Sequence, residues 1–161
     1  MIVSENGLYD PYKYYNYFIG ENSRLDAMQA VILLTKLSHL DIYNANRRKI
    51  AKKYTDAFLN LPVVVPKTKY FDRVSCFHQY ALLTEKKEEL VKYLSENGIG
   101  TGAFYPVPLH LQKAYNSLSY SEGSLPVAES VCKRSVCLPV FPELTEEETE
   151  YIIEKLSTFY R

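Results

Sequence analysis

The stretch that decides the fold is CFHQYALLTEKKEELVKYLSENGIG, residues 76–100. Its first nine residues alternate in side-chain character, which predicts a strand over 76–84. Apolar side chains then recur at helical spacing and predict a helix over 86–96. The Asn-Gly pair that follows is typical of a left-handed helix C-cap, and a second strand is expected over 99–104. A strand, a helix and a strand in this order indicate a layer of helices on a small sheet.

The C-terminal part of the chain continues this pattern. The sequence predicts a short helix over 110–115, a helix over 125–133 and a short strand over 135–138. Thr145 and Glu148 have the spacing of a capping box and predict the start of a last helix. The expected inner face of this helix consists of Ile152, Leu156 and Phe159. The element order therefore predicts an α/β (α+β) fold.

Upstream of this unit, the chain reads as a long helical region preceded by an arm. Apolar side chains at helical spacing predict one long helix or two over 23–59, capped by Asn22 or Ser23 and bent within 38–46. A short extended segment is expected at 63–65. The stripe is too long for one small sheet to cover and needs another large surface to pack against. We expect three parts: an extended Tyr-rich arm (1–21), a connecting helical region (22–60) and a small C-terminal α/β domain (61–161).

Composition excludes several classes of protein. The 161 residues are 47% apolar and 24% charged, and 19 basic residues balance 19 acidic ones. A net charge near zero gives no electrostatic footprint for nucleic acid. The longest apolar run, residues 30–34, is far shorter than the roughly 20 residues that span a bilayer, so no membrane partner is expected. An odd count of three cysteines and the lack of a secretory signal favour the cytoplasm.

The familiar catalytic and metal-binding patterns are missing from the sequence. The glycines at 98, 100 and 102 follow a helix and open a strand, which is the reverse of a dinucleotide-binding loop. The spacings Cys76-x-His78 and Cys132-x4-Cys137 match no common zinc site, so we expect no metal. No nucleophile stands beside a base and an oxyanion donor, so we expect no catalytic residue of this kind.

Two polar segments remain as candidate sites. Asn22 and Arg24 can bind an anion at the start of a helix, or they can be a helix cap and a solvated side chain. Tyr105 and His110 lie in a proline-stiffened turn that can line a pocket, or the turn can be a plain connection.

The order of motifs resembles the C-terminal part of the DegT/StrS-type sugar aminotransferases, which are pyridoxal-phosphate (PLP) enzymes of fold type I. The resemblance covers about 17–160. It rests on six motifs: Gly20-x-Asn22-x-Arg24-Leu-Asp-Ala-Met-Gln29-Ala30 with a Leu-rich helix after it, Asn46-Arg47-Arg48-x-x-Ala51-x-x-Tyr54, His78-Gln79-Tyr80, Tyr105-Pro106-x-Pro108-Leu109-His110-x-Gln112, and Leu138-Pro139-x-x-Pro142-Glu143-Leu144-Thr145.

The resemblance implies a function for the complete enzyme. That family transfers an amino group from glutamate to a keto sugar on a nucleotide, for cell-surface polysaccharides or amino sugars. It implies that Asn22 reaches the PLP phosphate of the neighbouring subunit in a dimer, that Arg24 lies near it, and that Tyr105 and His110 lie near the substrate entrance. It also implies a small, mostly antiparallel sheet with helices on one face. Two positions depart from the family: Ser23 replaces a frequent aromatic and Cys137 a usual Ser.

The resemblance also implies that the lysine that forms the Schiff base lies upstream of the Gly-x-Asn-x-Arg segment. We therefore expect this chain to lack it, to be inactive alone and to associate with an N-terminal catalytic half as part of a homo-oligomer. A truncated gene, a split gene or an excerpt would each account for this order. The alternative is a non-enzymatic interaction module or remnant that binds a partner chain. A small ligand-binding domain unrelated to PLP is a further reading.

Overall fold

The computed structural model describes residues 14–17, 19–67, 69–70 and 73–161. Most of the predicted Tyr-rich arm lies outside these ranges. In chain order the described elements are α1 (Ala27–Leu37), α2 (Leu40–Phe58), β1 (Lys69–Tyr70), β2 (Arg73–Val74), β3 (Tyr80–Leu83), α3 (Lys87–Glu96), two 3-10 helices (Leu109–Leu111 and Lys113–Leu118), α4 (Pro126–Arg134), β4 (Ser135–Leu138) and α5 (Glu146–Phe159).

The centre of the fold is the antiparallel pair of β3 and β4. Tyr80 pairs with Leu138 and Leu83 with Ser135. α3 packs on β4, α4 packs on β3, and α5 contacts both α2 and α3. β1 and β2 form a separate antiparallel ribbon. The small antiparallel sheet with helices, expected from the resemblance, is confirmed.

The core forms where α2 meets this layer. Fifteen buried apolar side chains make one cluster, and the largest that are fully buried are Tyr54, Phe58, Tyr80, Leu82, Leu90, Leu94, Leu156 and Val136. The Tyr54 hydroxyl donates to the Pro139 carbonyl at 3.0 Å, and the Tyr80 hydroxyl lies 3.0 Å from that of Thr55. Burial raises the pKa of Tyr80 to about 12. The C-terminal half of α2 therefore belongs to the folded unit.

Two predicted strands are much shorter than expected. The strand predicted over 76–84 begins only at Tyr80, because Phe77 has a left-handed φ of 48° that breaks the extended chain. The strand predicted over 99–104 is reduced to a single bridge between Gly102 and Cys137. The Phe104 ring lies against Gly102, so close that a Cβ there would meet it at 2.5 Å.

Other local predictions agree with the structure. The helical region breaks at residues 38–39, the N-terminal edge of the predicted bend. Gly98 has a φ of 73° and ends α3 in a Schellman motif, in which the Gly98 amide donates to Ser95 and the Ile99 amide to Leu94. Thr145 and Glu148 form the predicted capping box. The predicted short helix over 110–115 is two 3-10 turns instead.

α1 has no cover within the described residues. None of its residues is buried, although most are apolar. At about 3.6 residues per turn, Gln29 and Lys36 share one narrow polar stripe, and apolar side chains occupy most of the remaining circumference. A helix that is apolar on nearly every side is normally buried on more than one side.

Candidate functional site

The first candidate segment lies directly ahead of α1. Asp26, rather than Asn22 or Ser23, is the N-cap of this helix. Its carboxylate accepts from the Met28 amide at 2.8 Å, and the Gln29 side chain accepts from the Asp26 amide at 3.3 Å. The predicted cap was therefore wrong. The spacing Asp26-x-x-Gln29 is a capping-box signal that identifies this start from sequence alone.

This cap changes how an anion would be bound near α1. The Asp26 carboxylate already occupies the first free amides of the helix, so these amides are not open to a phosphate group. Asn22 and Arg24 are exposed, and within the described part of the chain neither side chain makes a hydrogen bond or an ion pair. An amide and a guanidinium that no internal contact engages fit a phosphate group. Their predicted role in cofactor binding stays a prediction.

The second candidate segment is the turn from Tyr105 to His110, and the structure places its two ends differently. Tyr105 is 65% exposed, and its ring meets the Tyr14 ring edge-on at 5.9 Å. His110 is buried, with its Nε2 3.0 Å from a Glu129 carboxylate oxygen. Tyr105 can therefore contact a ligand directly, whereas His110 is engaged inside the fold.

Glu129 is a buried carboxylate that sequence reasoning missed. It accepts from the Gly123 amide at 2.9 and 3.0 Å and from the Leu125 amide at 3.1 Å, in addition to His110. These contacts lower the pKa of Glu129, with the Gly123 amide contributing most and the Leu125 amide and His110 adding to it. Glu129 therefore joins the loop before α4 to the Tyr105–His110 turn.

Gln112 is a second buried polar side chain that was quoted only as part of a motif. It is 5% exposed. Its amide oxygen accepts from the Asn16 amide at 2.8 Å, and its amide nitrogen donates to the Tyr14 carbonyl at 2.6 Å. It therefore holds the described end of the arm against the turn.

The His78-Gln79-Tyr80 motif borders a separate groove of about 450 Å³. His78 and Gln79 lie on its rim, and Phe104 and Gly102 form part of its wall. Arg47 donates to the Val140 carbonyl and, at 3.5 Å, to that of His78, which fixes this edge to α2. Among the described residues no contact joins this groove to Asn22 or Arg24.

The cysteines and metal-binding patterns show no activated group. Burial raises the pKa of the Cys132 and Cys137 thiols, which disfavours the thiolate. In the described ranges, no three His, Cys, Asp or Glu side chains come together in a way that could hold a metal ion. Nor does any helix in them have the length and hydrophobicity to cross a membrane.

The fold is that of the smaller domain of fold type I aminotransferases, which depend on PLP. The family model of the DegT/DnrJ/EryC1/StrS aminotransferase family matches residues 2–157, and the chain belongs to this family. The structure resembles that of DesV from S. venezuelae with a TM-score of 0.82 and 35% identity, covering 98% of this chain and 42% of that one.

Curated relatives agree with this assignment. The "Pleiotropic regulatory protein" of Geobacillus stearothermophilus is 48% identical over 92% of this chain and 41% of its own length. The dTDP-3-amino-3,6-dideoxy-alpha-D-galactopyranose transaminase of Aneurinibacillus thermoaerophilus is 37% identical over 91% of this chain and 40% of its own length. The chain therefore spans about two fifths of the length of the curated relatives it matches.

Proposed function

We propose that this chain is the C-terminal part of a PLP-dependent aminotransferase that acts on nucleotide-linked keto sugars. Relatives named as nucleotide-sugar transaminases support the substrate class. The observation that carries the proposal is the state of Asn22 and Arg24. Both side chains are exposed and have no internal partner in the described chain, directly ahead of a helix whose apolar surface is uncovered.

The chain's own residues have distinct tasks in this proposal. PLP, when bound, supplies the electron sink that lets an amino group move between a donor and a keto sugar. Arg24 contributes a fixed positive charge and Asn22 an amide donor toward the phosphate group. Tyr105 lines the substrate entrance with an exposed ring, and His110 supports it from inside through Glu129.

The proposed partners follow from the uncovered surface of α1. Leu25, Leu33, Leu34, Leu37 and Leu40 line an open apolar cleft of about 920 Å³, and each of them is at least 46% exposed. The further length of the curated relatives supplies a catalytic part that can cover this face. Because α1 is apolar on nearly every side, we propose that a second copy in a dimer covers another. Three free thiols fit a reducing compartment, so we place the enzyme in the cytoplasm.

A chimera tests the catalytic proposal. The N-terminal part of the Aneurinibacillus transaminase is joined to this chain at the start of the matched region, and amino transfer from glutamate to the matching dTDP-keto sugar is measured. We expect activity from the chimera and none from either part alone. A folded chimera that binds PLP but stays inactive would contradict the proposal and favour the interaction module.

Lys87 provides an internal check on the expected lack of a Schiff-base lysine. Burial lowers its pKa, which makes it the described lysine nearest to a nucleophile, but its ammonium group donates to the Cys132 carbonyl at 2.9 Å. We expect no stoichiometric borohydride-trapped PLP adduct on the isolated chain. A one-to-one adduct that Lys87→Arg abolishes, together with amino transfer by the chain alone, would overturn this expectation.

A further inference from the structure

Gln112 spends its whole side-chain amide on the backbone of the arm. It lies between the two 3-10 helices and closes one while opening the other, yet its side chain caps neither. Both of its amide groups bond instead to the main chain of Tyr14 and Asn16, which lie 98 and 96 residues away in sequence. An amide that reads only backbone atoms fixes the path of a segment whatever side chains it carries.

Three further contacts strengthen this attachment. The Ala114 amide donates to the Asn16 carbonyl at 2.9 Å, which adds a third hydrogen bond beside those of Gln112. The Tyr14 ring meets the Phe104 ring edge-on at 5.8 Å, and the Lys113 ammonium lies 4.8 Å above the Tyr17 ring. The arm is therefore bound on both sides of Asn16.

The base of this attachment is itself held from behind. His110 and Glu129 form a buried pair two residues before Gln112, and Glu129 also accepts from two loop amides. A buried polar network in which each member has partners is rigid. The arm is thus docked on a fixed turn rather than on a mobile loop.

The docked arm leads directly to the proposed anion-binding residues. Asn22 follows Asn16 by six residues, and six residues span at most about 20–22 Å. We infer that Gln112 is a positioning residue: by clamping residues 14–16 to the Tyr105–His110 turn, it sets where Asn22 and Arg24 stand relative to that turn. The clamp itself is independent of the enzyme's chemistry, whereas its effect on cofactor and substrate rests on the proposed function.

Hydrogen exchange tests the clamp in the full 161-residue chain. The Asn16 and Ala114 amides are expected to be protected, and Gln112→Leu should speed the exchange of both by about tenfold or more, the effect of losing a hydrogen bond of ordinary strength. The matched control is Gln79→Leu, because the Gln79 side chain makes no hydrogen bond within the described residues. Unchanged exchange at Asn16 in Gln112→Leu would overturn the inference.

A Gln112→Glu variant separates a clamp from a general loss of packing. Its carboxylate can accept from the Asn16 amide but repels the Tyr14 carbonyl, and its neutral acid form regains a donor. Relative to wild type at the same pH, protection of the arm should be lost at neutral pH and recover in acid. A variant equally unprotected at both values would mean that packing alone, and not the amide, holds the arm.

The same variants in the chimera test the effect on the site. Gln112→Leu is expected to raise the KM for the nucleotide sugar or the PLP dissociation constant about tenfold, with Gln79→Leu near wild type. If exchange shows the clamp and the chimera is inactive with every sequence, the proposed function fails and the clamp stands. If an active chimera is unaffected by Gln112→Leu, the positioning role fails.

Discussion

Replacing Asn22 by Ala should weaken PLP binding in the chimera without lowering thermal stability. The side chain makes no hydrogen bond within the described chain and does not cap α1, so the fold loses nothing. A hydrogen bond to a charged group contributes about 1.5–3 kcal/mol. Its loss corresponds to about a ten- to hundredfold rise in the PLP dissociation constant. Arg24→Ala should act in the same direction because it removes a positive charge near the same phosphate.

The matched control is Asp26→Ala, four residues further on. It removes the carboxylate that accepts from the Met28 amide, and loss of such a cap costs about 1 kcal/mol. In a chain of this size that lowers the melting temperature by about 2–4 °C. PLP affinity should not weaken, because the change removes a negative charge close to an anion.

The assay measures both properties for each variant. PLP dissociation is followed spectroscopically in the chimera, and thermal unfolding is followed by circular dichroism in the 161-residue chain. Asn22→Ala and Asp26→Ala should then show opposite patterns. A drop of several degrees for Asn22→Ala with unchanged PLP affinity would show that Asn22 serves the fold and would remove it from the cofactor site.

Three further outcomes are expected. Thr145→Ala should lower the free energy of unfolding by about 1 kcal/mol in chemical denaturation, and Thr145→Ser should retain it because a hydroxyl still caps α5; equal losses would argue against the cap. The lowered pKa of Glu129 means that its stabilisation is present above its ordinary pKa of 4.5 and is lost as the pH falls through the lower folded value. Stability measured from pH 7 downward should therefore decline in acid, and Glu129→Gln should flatten that decline; identical curves would refute this. Light scattering over a dilution series should show a dimer or larger species, with Leu33→Glu and Leu37→Glu together shifting it toward monomer, and a sharp monomer at high concentration would contradict self-association.

Elements specified by neighbouring residues could be predicted from the sequence. The Thr145-x-x-Glu148 capping box and the left-handed Gly98 depend on a few residues in a row, and both were found where expected. The start of α1 was missed although Asp26-x-x-Gln29 carries the same kind of signal, because Asn22 and Ser23 are also good caps. Sequence alone does not rank several caps that lie close together.

Features that depend on distant residues could not be predicted. His110 meets Glu129 across 19 residues and Gln112 meets Asn16 across 96, and nothing near either residue marks its partner. The strand predicted over 99–104 failed for a related reason. Its glycines read as close-packed strand positions, but the space over Gly102 is taken by the Phe104 ring, which leaves only one bridge to β4.

The segment from Tyr105 to Gln112 is held at two points that face different parts of the molecule. His110 bonds inward to Glu129, and Gln112 bonds to the arm. A ligand gains affinity when the groups that contact it are ordered before it binds, because that ordering then costs no free energy on association. His110 can reach a ligand only by leaving a buried carboxylate, whereas Tyr105 is already exposed on the same rigid segment. Direct contact with a substrate therefore belongs to Tyr105, and His110 and Gln112 contribute by keeping that ring and the arm in place.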